Sequence, residues 1–227
     1  MSKNYVAKID NLVKVRHVLA SLSDKRELDW LIPLLVEINQ DIRIYSTGGT
    51  YDAIAGVLGE KAYKILSQVS SYTGQPEMQG GLVKTLDFRI YLGLLSETYN
   101  KSHAEDLNRL KAVPIDMVLV NLYPFRETIS RQDTTPEHAR ANIDIGGPCM
   151  VRAAAKNYLR VTVCTQPEDY QTIISELKKN GGCTTLETRY ALARKAFAHT
   201  ASYDTAIAAY LEETSFEDAR RVYSFED

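Results

Sequence analysis

Apolar residues in this chain occur in short runs that are separated by longer segments of helical periodicity. The apolar runs 17–23 (HVLASLS) and 116–123 (DMVLVNLY), and the alternating segment 41–47 (DIRIYST), predict three strands. The segments 62–69 (AYKILSQV) and 160–165 (RVTVCT) predict two more, and the second of these is the last clear strand of the chain.

Between the strands, apolar residues recur every three or four positions, which predicts helices. The predicted helices are ELDWLIPLLVEIN (27–39), YDAIAGVLG (51–59), HAEDLNRLKAV (103–113), TPEHARANI (135–143), PCMVRAAAKN (148–157), PEDYQTIISELKKN (167–180) and a long C-terminal helix (185–213). One face of the long helix carries an apolar stripe of Leu186, Tyr190, Ala193, Phe197 and Ala201. The segment 80–93 (GGLVKTLDFRIYLG) looks like a strand that Asp87 and Phe88 interrupt.

Strands that alternate with helices predict an α/β fold with a mostly parallel sheet and helices on both faces. No repeat or linker divides the chain, so we expect one domain over 1–227 with a helical C-terminal extension. Ligands of such sheets bind beyond the carboxyl ends of the strands. The loops after Ser23, Thr47 and Tyr123 are therefore the places to look for chemistry.

Charge and composition exclude several classes of protein. The net charge is −2 without a basic stripe, which argues against a nucleic-acid partner. No apolar run reaches the roughly 18 residues of a membrane span, and the first residues do not resemble a signal peptide. The three cysteines lack paired spacing and the four histidines lack metal-ligand spacing. We therefore expect a cytoplasmic protein without a metal site.

The segment STGGT (46–50) joins a strand end to a helix start, where backbone amides and the positive end of the helix attract anions. It matches neither a Walker loop nor a dinucleotide fingerprint, and a plain Gly-Gly turn capped by Thr50 explains it equally well. Lys25, Lys84 and Thr85 are either solvated surface residues or parts of one cationic pocket. Such a pocket would suit a single phosphate monoester.

Two other segments contain candidate residues with equally plausible structural roles. Asp144 precedes a Gly-Gly pair that opens a helix, so it is either functional or a helix cap. Lys156 near the end of that helix is either functional or a favourable charge at the helix C-terminus. Asn121 and Tyr123 end a buried strand, where Tyr123 is either functional or packed at the rim of the sheet.

The order of several motifs resembles the IMP cyclohydrolase domain of the bifunctional purine biosynthesis enzymes, from about Val18 to about Tyr210. These motifs are STGGT, YTGQPEMQGGLVKTL, NLYPF, NIDIGGPCMVRAAAKN and LETRYALARKAFAHTASYDTAIAAY. The resemblance implies a methylglyoxal-synthase-like fold, a homodimer, and closure of 5-formamido-4-carboxamide imidazole ribotide (FAICAR) to inosine monophosphate (IMP) with loss of water. That reaction includes no redox step, so it requires neither cofactor nor metal. A formyltransferase, for which this chain has no matching domain, would supply the substrate.

The resemblance also implies roles for individual residues. Lys156 matches a proton donor or acceptor, with Lys84, Tyr123 and Asp144 as its helpers. The remaining matches are expected to bind substrate: Ser23, Asp24, Lys25, Thr47, Gly48, Gly49, Thr50, Thr85, Val120, Asn121, Ile145 and Gly146.

The chain departs from the family's usual pattern at three positions of one segment. Leu82 replaces an arginine that belongs to the substrate-binding segment, Asp87 replaces a histidine, and Phe88 replaces a proline. Arg26, in a neighbouring loop, is a candidate to restore the missing charge. Two alternative functions remain: a nucleotide-binding homologue with impaired catalysis, and a methylglyoxal-synthase-like lyase that acts on a triose phosphate.

Overall fold

A computed structural model describes residues 5–76 and 84–226. Within them, five parallel strands form a sheet of order β4-β3-β2-β5-β6, and β1 pairs with β7 in a separate antiparallel ribbon. The strands are β1 (Leu12–Lys14), β2 (His17–Leu22), β3 (Arg43–Ser46), β4 (Leu66–Gln68), β5 (Met117–Asn121), β6 (Thr162–Cys164) and β7 (Cys183–Thr185).

Helices connect the strands and cover both faces of the sheet. They are α1 (Leu28–Ile38), α2 (Gly48–Leu58), α3 (Ala62–Ile65), α4 (Val69–Thr73), α5 (Phe88–Leu95), α6 (Lys101–Arg109), α7 (Phe125–Ile129), α8 (Pro136–Ala141), α9 (Gly146–Lys156), α10 (Tyr170–Lys179), α11 (Leu186–Glu213) and α12 (Phe216–Arg221). One group consists of α1 packed on α2 and α10, and another of α9 packed on α5 and α11. From β2 the chain adds β3 and β4 on one side of the sheet and then β5 and β6 on the other side. Right-handed crossovers therefore place these two groups of helices on opposite faces.

The register of the central strands brings three loops together. In the parallel pairings Ala20 lies opposite Ser46, and Leu22 lies opposite Asn121. The carboxyl ends of β2, β3 and β5 are therefore neighbours at one edge of the sheet, where the strand order also changes direction. The predicted α/β class with a mostly parallel sheet is confirmed.

Two of the predicted strands are wrong wholly or in part. In 62–69 only Leu66–Gln68 is a strand, because residues 62–65 form the short helix α3. The described part of 80–93 contains the helix Phe88–Leu95 and no strand. Asp87 begins that helix as its N-cap, accepting a hydrogen bond from the Arg89 amide at 2.8 Å.

Of the predicted stripe the C-terminal helix fully buries only Ala193, and its buried face extends to residues outside the stripe. Arg189 is fully buried, since its guanidinium donates to five main-chain carbonyl groups, those of Asp10, Asn11, Tyr158, Leu159 and Thr184. Tyr190 and Phe197 of the stripe are 51% and 40% exposed. Hydropathy alone misses this because an arginine satisfied by carbonyls is buried like an apolar residue. The ribbon strand β7 also lies beyond the segment predicted to be the last strand.

Candidate active site

A cavity of about 420 Å³ lies at the carboxyl ends of β2, β3 and β5, and this volume is typical of small-molecule sites. Most of the predicted site residues line it: Ser23, Lys25, Thr47, Gly49, Thr50, Lys84, Thr85, Asn121, Tyr123, Asp144, Ile145 and Gly146. The structure therefore brings together residues from five separate segments of the chain.

The N-terminus of α2 forms one end of the cavity. Gly48 has a positive φ of 37°, and a Cβ atom there would lie 3.1 Å from the Lys84 amine. A Cβ atom on Gly49 would lie 4.0 Å from the Lys25 amine, so both lysines stand over the first turn of the helix. Thr47, the N-cap residue, makes no side-chain capping bond; its hydroxyl lies 3.0 Å from that of Ser21. This end of the cavity suits an anion.

The N-terminus of α9 lies on the same cavity. A Cβ atom on Gly146 would come within 2.5 Å of the Thr85 hydroxyl oxygen, so the segment that carries Lys84 and Thr85 touches both helix ends. The positive ends of two eleven-residue helices thus meet the cavity together with two lysines. An isolated lysine-threonine pair on the surface would have no such surroundings.

Two of the predicted binding residues, Thr50 and Asn121, form side-chain hydrogen bonds to the main chain at the end of β2 and just after it. The Thr50 hydroxyl accepts from the Leu22 amide at 2.9 Å and donates to the Leu22 carbonyl at 3.0 Å. The Asn121 amide oxygen accepts from the Asp24 amide at 2.8 Å, and its nitrogen donates to the Asp24 carbonyl at 3.1 Å. Both side chains line the cavity, and both fix the loop after β2 in place.

The Asp144 carboxyl group and the Tyr123 phenol both line the cavity. The Asp144 carboxylate accepts a hydrogen bond from the Gly147 amide at 2.8 Å. Burial raises the pKa of Asp144, and main-chain hydrogen bonds from Gly147 and Tyr123 oppose that rise. Burial and the nearby Asp144 charge raise the pKa of Tyr123. The cavity therefore contains a carboxyl group that takes up a proton more readily than an ordinary aspartate, together with a phenol that is protonated at neutral pH.

Charge is divided between the two ends of the cavity. Among its described lining residues, Lys25 and Lys84 are the cations and Asp144 is the acid. Arg26 does not line the cavity; its guanidinium lies 2.5 Å from the Asp24 carboxylate and 3.6 Å from that of Glu168. The suggestion that Arg26 replaces a missing substrate cation is therefore not supported by its position. Leu82, which prompted that suggestion, lies outside the described residues.

Four predicted site residues do not line the cavity. The Asp24 carboxylate forms an ion pair with Arg26. The Lys84 amine lies next to Gly48, and Val120 is buried within β5. Lys156 ends α9, ten residues or about 15 Å along the helix axis from Gly146. It lines a second groove together with Tyr190 and Phe197. Lys156 and Asp144 lie close together in the sequence, but α9 runs between them and places Lys156 at the far end of the helix from Asp144.

Sequence reasoning missed several lining residues. They are Ser21, Leu22, Leu86, Ala141, Ile143, Gly147 and Met150. Most are apolar residues that flank a recognised motif, and only the shape of the cavity distinguishes them from ordinary core residues. Ser21 carried a usable signal, since it is a hydroxyl two positions before Ser23 at a strand end.

Within the described ranges, no three His, Cys, Asp or Glu side chains are grouped so that they could bind a metal ion. No helix in the described part of the chain is long and apolar enough to cross a membrane.

Comparison with known proteins identifies the class that this fold and site define. The model of the MGS-like domain matches residues 32–149, about half of the chain, and the model of the AICARFT/IMPCHase bienzyme matches residues 154–226. The chain belongs to the MGS-like domain family. Its similarity to bifunctional purine biosynthesis proteins covers most of its length, as the following relatives show.

The chain is 42% identical over 202 residues to the bifunctional purine biosynthesis protein PurH of Leptospira biflexa, covering 89% of this chain and 38% of the relative. It is 47% identical to PurH of a Synechococcus species, covering 86% of this chain and 36% of that protein. The chain thus spans under two-fifths of the length of these curated relatives. A crystal structure of ForH superposes with a TM-score of 0.71 at 32% identity, covering 86% of this chain and 97% of that one.

Proposed function

We propose that this chain is an IMP cyclohydrolase, which closes FAICAR to IMP with loss of water. The observation that carries the proposal is the cavity itself, in which the N-terminus of α2 and two lysines lie together with a phenol and a half-buried acid that accepts a hydrogen bond from the first turn of α9. Similarity to PurH proteins supports the same reaction class. The formylated substrate would then come from a folate-dependent formyl transfer.

The cationic end of the cavity fits the phosphate of a ribotide. The amides at the start of α2, the Lys25 and Lys84 amines and the Thr47 hydroxyl converge there. These contacts are remote from the reacting carbons and act equally in the ground state and the transition state, so they contribute to binding. The catalytic role that the resemblance assigns to Lys84 stays a prediction; its amine lies near Gly48 in the first turn of α2.

The other end of the cavity fits the ring closure. The carboxamide nitrogen attacks the formyl carbon and loses a proton, and the resulting carbinolamine expels its hydroxyl group as water. An Asp144 carboxylate with a raised pKa is a suitable acceptor for that proton, and the Tyr123 phenol is a suitable donor to the developing oxyanion. Because an amide nitrogen is a weak nucleophile, orientation and oxyanion stabilisation should provide most of the acceleration.

An absorbance assay of IMP formation from FAICAR tests the proposal and separates it from the two alternatives. A cyclohydrolase produces IMP and releases no inorganic phosphate from dihydroxyacetone phosphate. A lyase of triose phosphates gives the opposite pattern. A binder with impaired catalysis takes up IMP in a calorimetric titration and shows neither reaction.

Replacing Gly147 by alanine should damage the reacting end of the cavity. The added Cβ atom would lie 2.8 Å from Leu122 Cδ2 and 2.9 Å from the carboxyl carbon of Asp144, both inside contact distance. Displacement of that carboxylate should lower the rate constant for ring closure by ~100-fold.

The matched control is Gly56→Ala, where the new Cβ meets nothing within 4 Å. It should keep wild-type kinetics and gain up to about 1 kcal/mol in free energy of unfolding. Equal rates in the two variants would contradict the prediction.

We also propose that the chain forms a homodimer in solution. Tyr190 and Phe197 expose aromatic surface on α11 and line, with Lys156, a second groove of about 630 Å³. An apolar groove of this kind is typical of a protein-protein contact. Sedimentation equilibrium at micromolar concentration should give twice the 25.5 kDa mass of one chain. Phe197→Glu should shift the distribution towards single chains, and a wild-type protein that sediments only as single chains would exclude the dimer.

A further inference from the structure

Tyr203 contacts the loop that carries Asp144, although it lies on α11 and outside the lining of the cavity. Its side chain is buried, with 8% of its surface exposed. The Asp144 amide donates to its hydroxyl at 2.9 Å, and the hydroxyl donates to the Asn142 carbonyl at 3.3 Å. Burial raises the pKa of Tyr203, so at neutral pH the phenol keeps the proton that the second bond requires. The Tyr203 hydroxyl therefore bonds to the main chain just before and just after Ile143, a residue that lines the cavity.

The ring of Tyr203 contacts the other segment that carries a reacting group. It packs edge-on against Phe125, with centroids 6.2 Å apart. Phe125 follows Tyr123 by two residues, and its amide donates to the Tyr123 carbonyl at 2.8 Å. Tyr203 is thus joined to the Asp144 loop through its hydroxyl and to the Tyr123 loop through its ring.

These contacts determine where the Asp144 carboxylate points. The side chain of Asp144 accepts hydrogen bonds from the main-chain amides of Gly147 and Tyr123, and its own main-chain amide donates to Tyr203. With these bonds in place, the carboxylate has one orientation relative to the cavity. Loss of the bond to Tyr203 releases the main chain at residues 142–144 while the carboxylate keeps its bond to Gly147.

We propose that Tyr203 is a positioning residue for ring closure, whose hydroxyl fixes the main chain at Asn142 and Asp144 and so aims the Asp144 carboxylate at the substrate. This assignment rests on the proposed cyclohydrolase function for its kinetic consequence. Tyr203 does not line the cavity itself, so its hydroxyl acts on the cavity through the main chain that carries Ile143 and Asp144.

The chain provides a matched control on the same helix. Tyr210 also packs edge-on against Phe125, with centroids 5.9 Å apart, and its hydroxyl makes no hydrogen bond within the described residues. Tyr203→Phe removes one hydroxyl that holds the Asp144 loop and keeps the ring contact. Tyr210→Phe makes the same chemical change beside the same phenylalanine and leaves the Asp144 loop untouched.

Hydrogen exchange tests the positioning without reference to activity. Amides of the segment 142–147 should exchange about tenfold faster in Tyr203→Phe than in wild type, since one hydrogen bond holds the Asp144 amide. The same segment in Tyr210→Phe should exchange at the wild-type rate. Unchanged exchange in Tyr203→Phe overturns the proposal, as does equal acceleration across the whole chain, which would show general destabilisation.

Separate measurement of kcat and KM tests the effect of this positioning on catalysis. In Tyr203→Phe we expect kcat to fall by ~10- to 100-fold, because a small misplacement of a reacting group is costly, while KM and IMP affinity change less than threefold. Tyr210→Phe should match wild type in both. A kcat within twofold of wild type, or an equal loss of IMP affinity, overturns the role of the hydroxyl. If wild type itself produces no IMP, the proposed function fails, and hydrogen exchange alone decides whether Tyr203 positions the loop.

Discussion

Asp144→Asn is expected to lower kcat for IMP formation by ~10²–10⁴-fold, the usual loss when a positioned acid or base is removed. The asparagine keeps an oxygen that can accept from the Gly147 amide, but it does not take up the proton of the carboxamide. IMP affinity measured by calorimetry should change little, because the phosphate contacts lie at the opposite end of the cavity.

The pH dependence of kcat gives this prediction a second readout. Burial raises the pKa of Asp144, so its active carboxylate form should be lost as the pH falls, beginning above the ordinary carboxyl value of about 4. This acidic limb should be absent from the residual activity of Asp144→Asn. Asp52→Asn, an exposed carboxylate on α2, is the control and should retain both the rate and the limb. An Asp144→Asn protein with wild-type kcat would exclude Asp144 as the proton acceptor.

Lys156→Ala is also expected to lower ring closure by ~10²–10⁴-fold while the protein stays folded, because Lys156 matches the proton-transfer lysine of the family. Its position makes this prediction more demanding, since Lys156 lies about 9 Å along the axis of α9 beyond Met150, the last residue of the helix that lines the cavity. Because Lys156 itself does not line the cavity, a loss of that size requires either a movement of α9 or a second copy of the chain.

A suitable control for this variant is Lys179→Ala, which also removes an exposed lysine at the last position of a helix, that of α10. It reproduces the loss of a favourable charge at a helix C-terminus without touching the second groove. If the amine acts from a second copy, the specific activity of wild type should fall on dilution below the dissociation constant of the dimer. Turnover in folded Lys156→Ala equal to that of Lys179→Ala would remove Lys156 from the mechanism.

The class of fold could be predicted because it depends on local patterns. The runs 17–23 and 116–123 are apolar enough to be central strands under any arrangement, and their alternation with helices permits few topologies. The loops after Ser23, Thr47 and Tyr123 could likewise be chosen in advance, since parallel strands end at a common edge. Most of the residues that line the cavity were therefore available from the sequence and the resemblance.

Errors in the predicted elements occurred where tertiary contacts override local preference. The segment 80–93 looks like a strand by composition, yet Ile90 and Leu94 are both buried at helical spacing against the core, and Asp87 caps the helix. On α11 the buried face contains Arg189, which donates to five carbonyl groups, and four of these come from distant parts of the chain. No window of neighbouring residues contains that information.

The sequence by itself determined the strand and helix alternation, the edge of the sheet that binds ligands, and the residue types gathered there. Only the tertiary structure decided how those residues are used. In the folded chain the Thr50 hydroxyl and the Asn121 amide bond to the main chain at the end of β2 and just after it. Arg26 forms ion pairs with Asp24 and Glu168. Lys156 is separated from Asp144 by the length of α9. The physical reason is that spacing along the chain fixes which element carries a side chain. The partner that the side chain meets depends on how the elements pack.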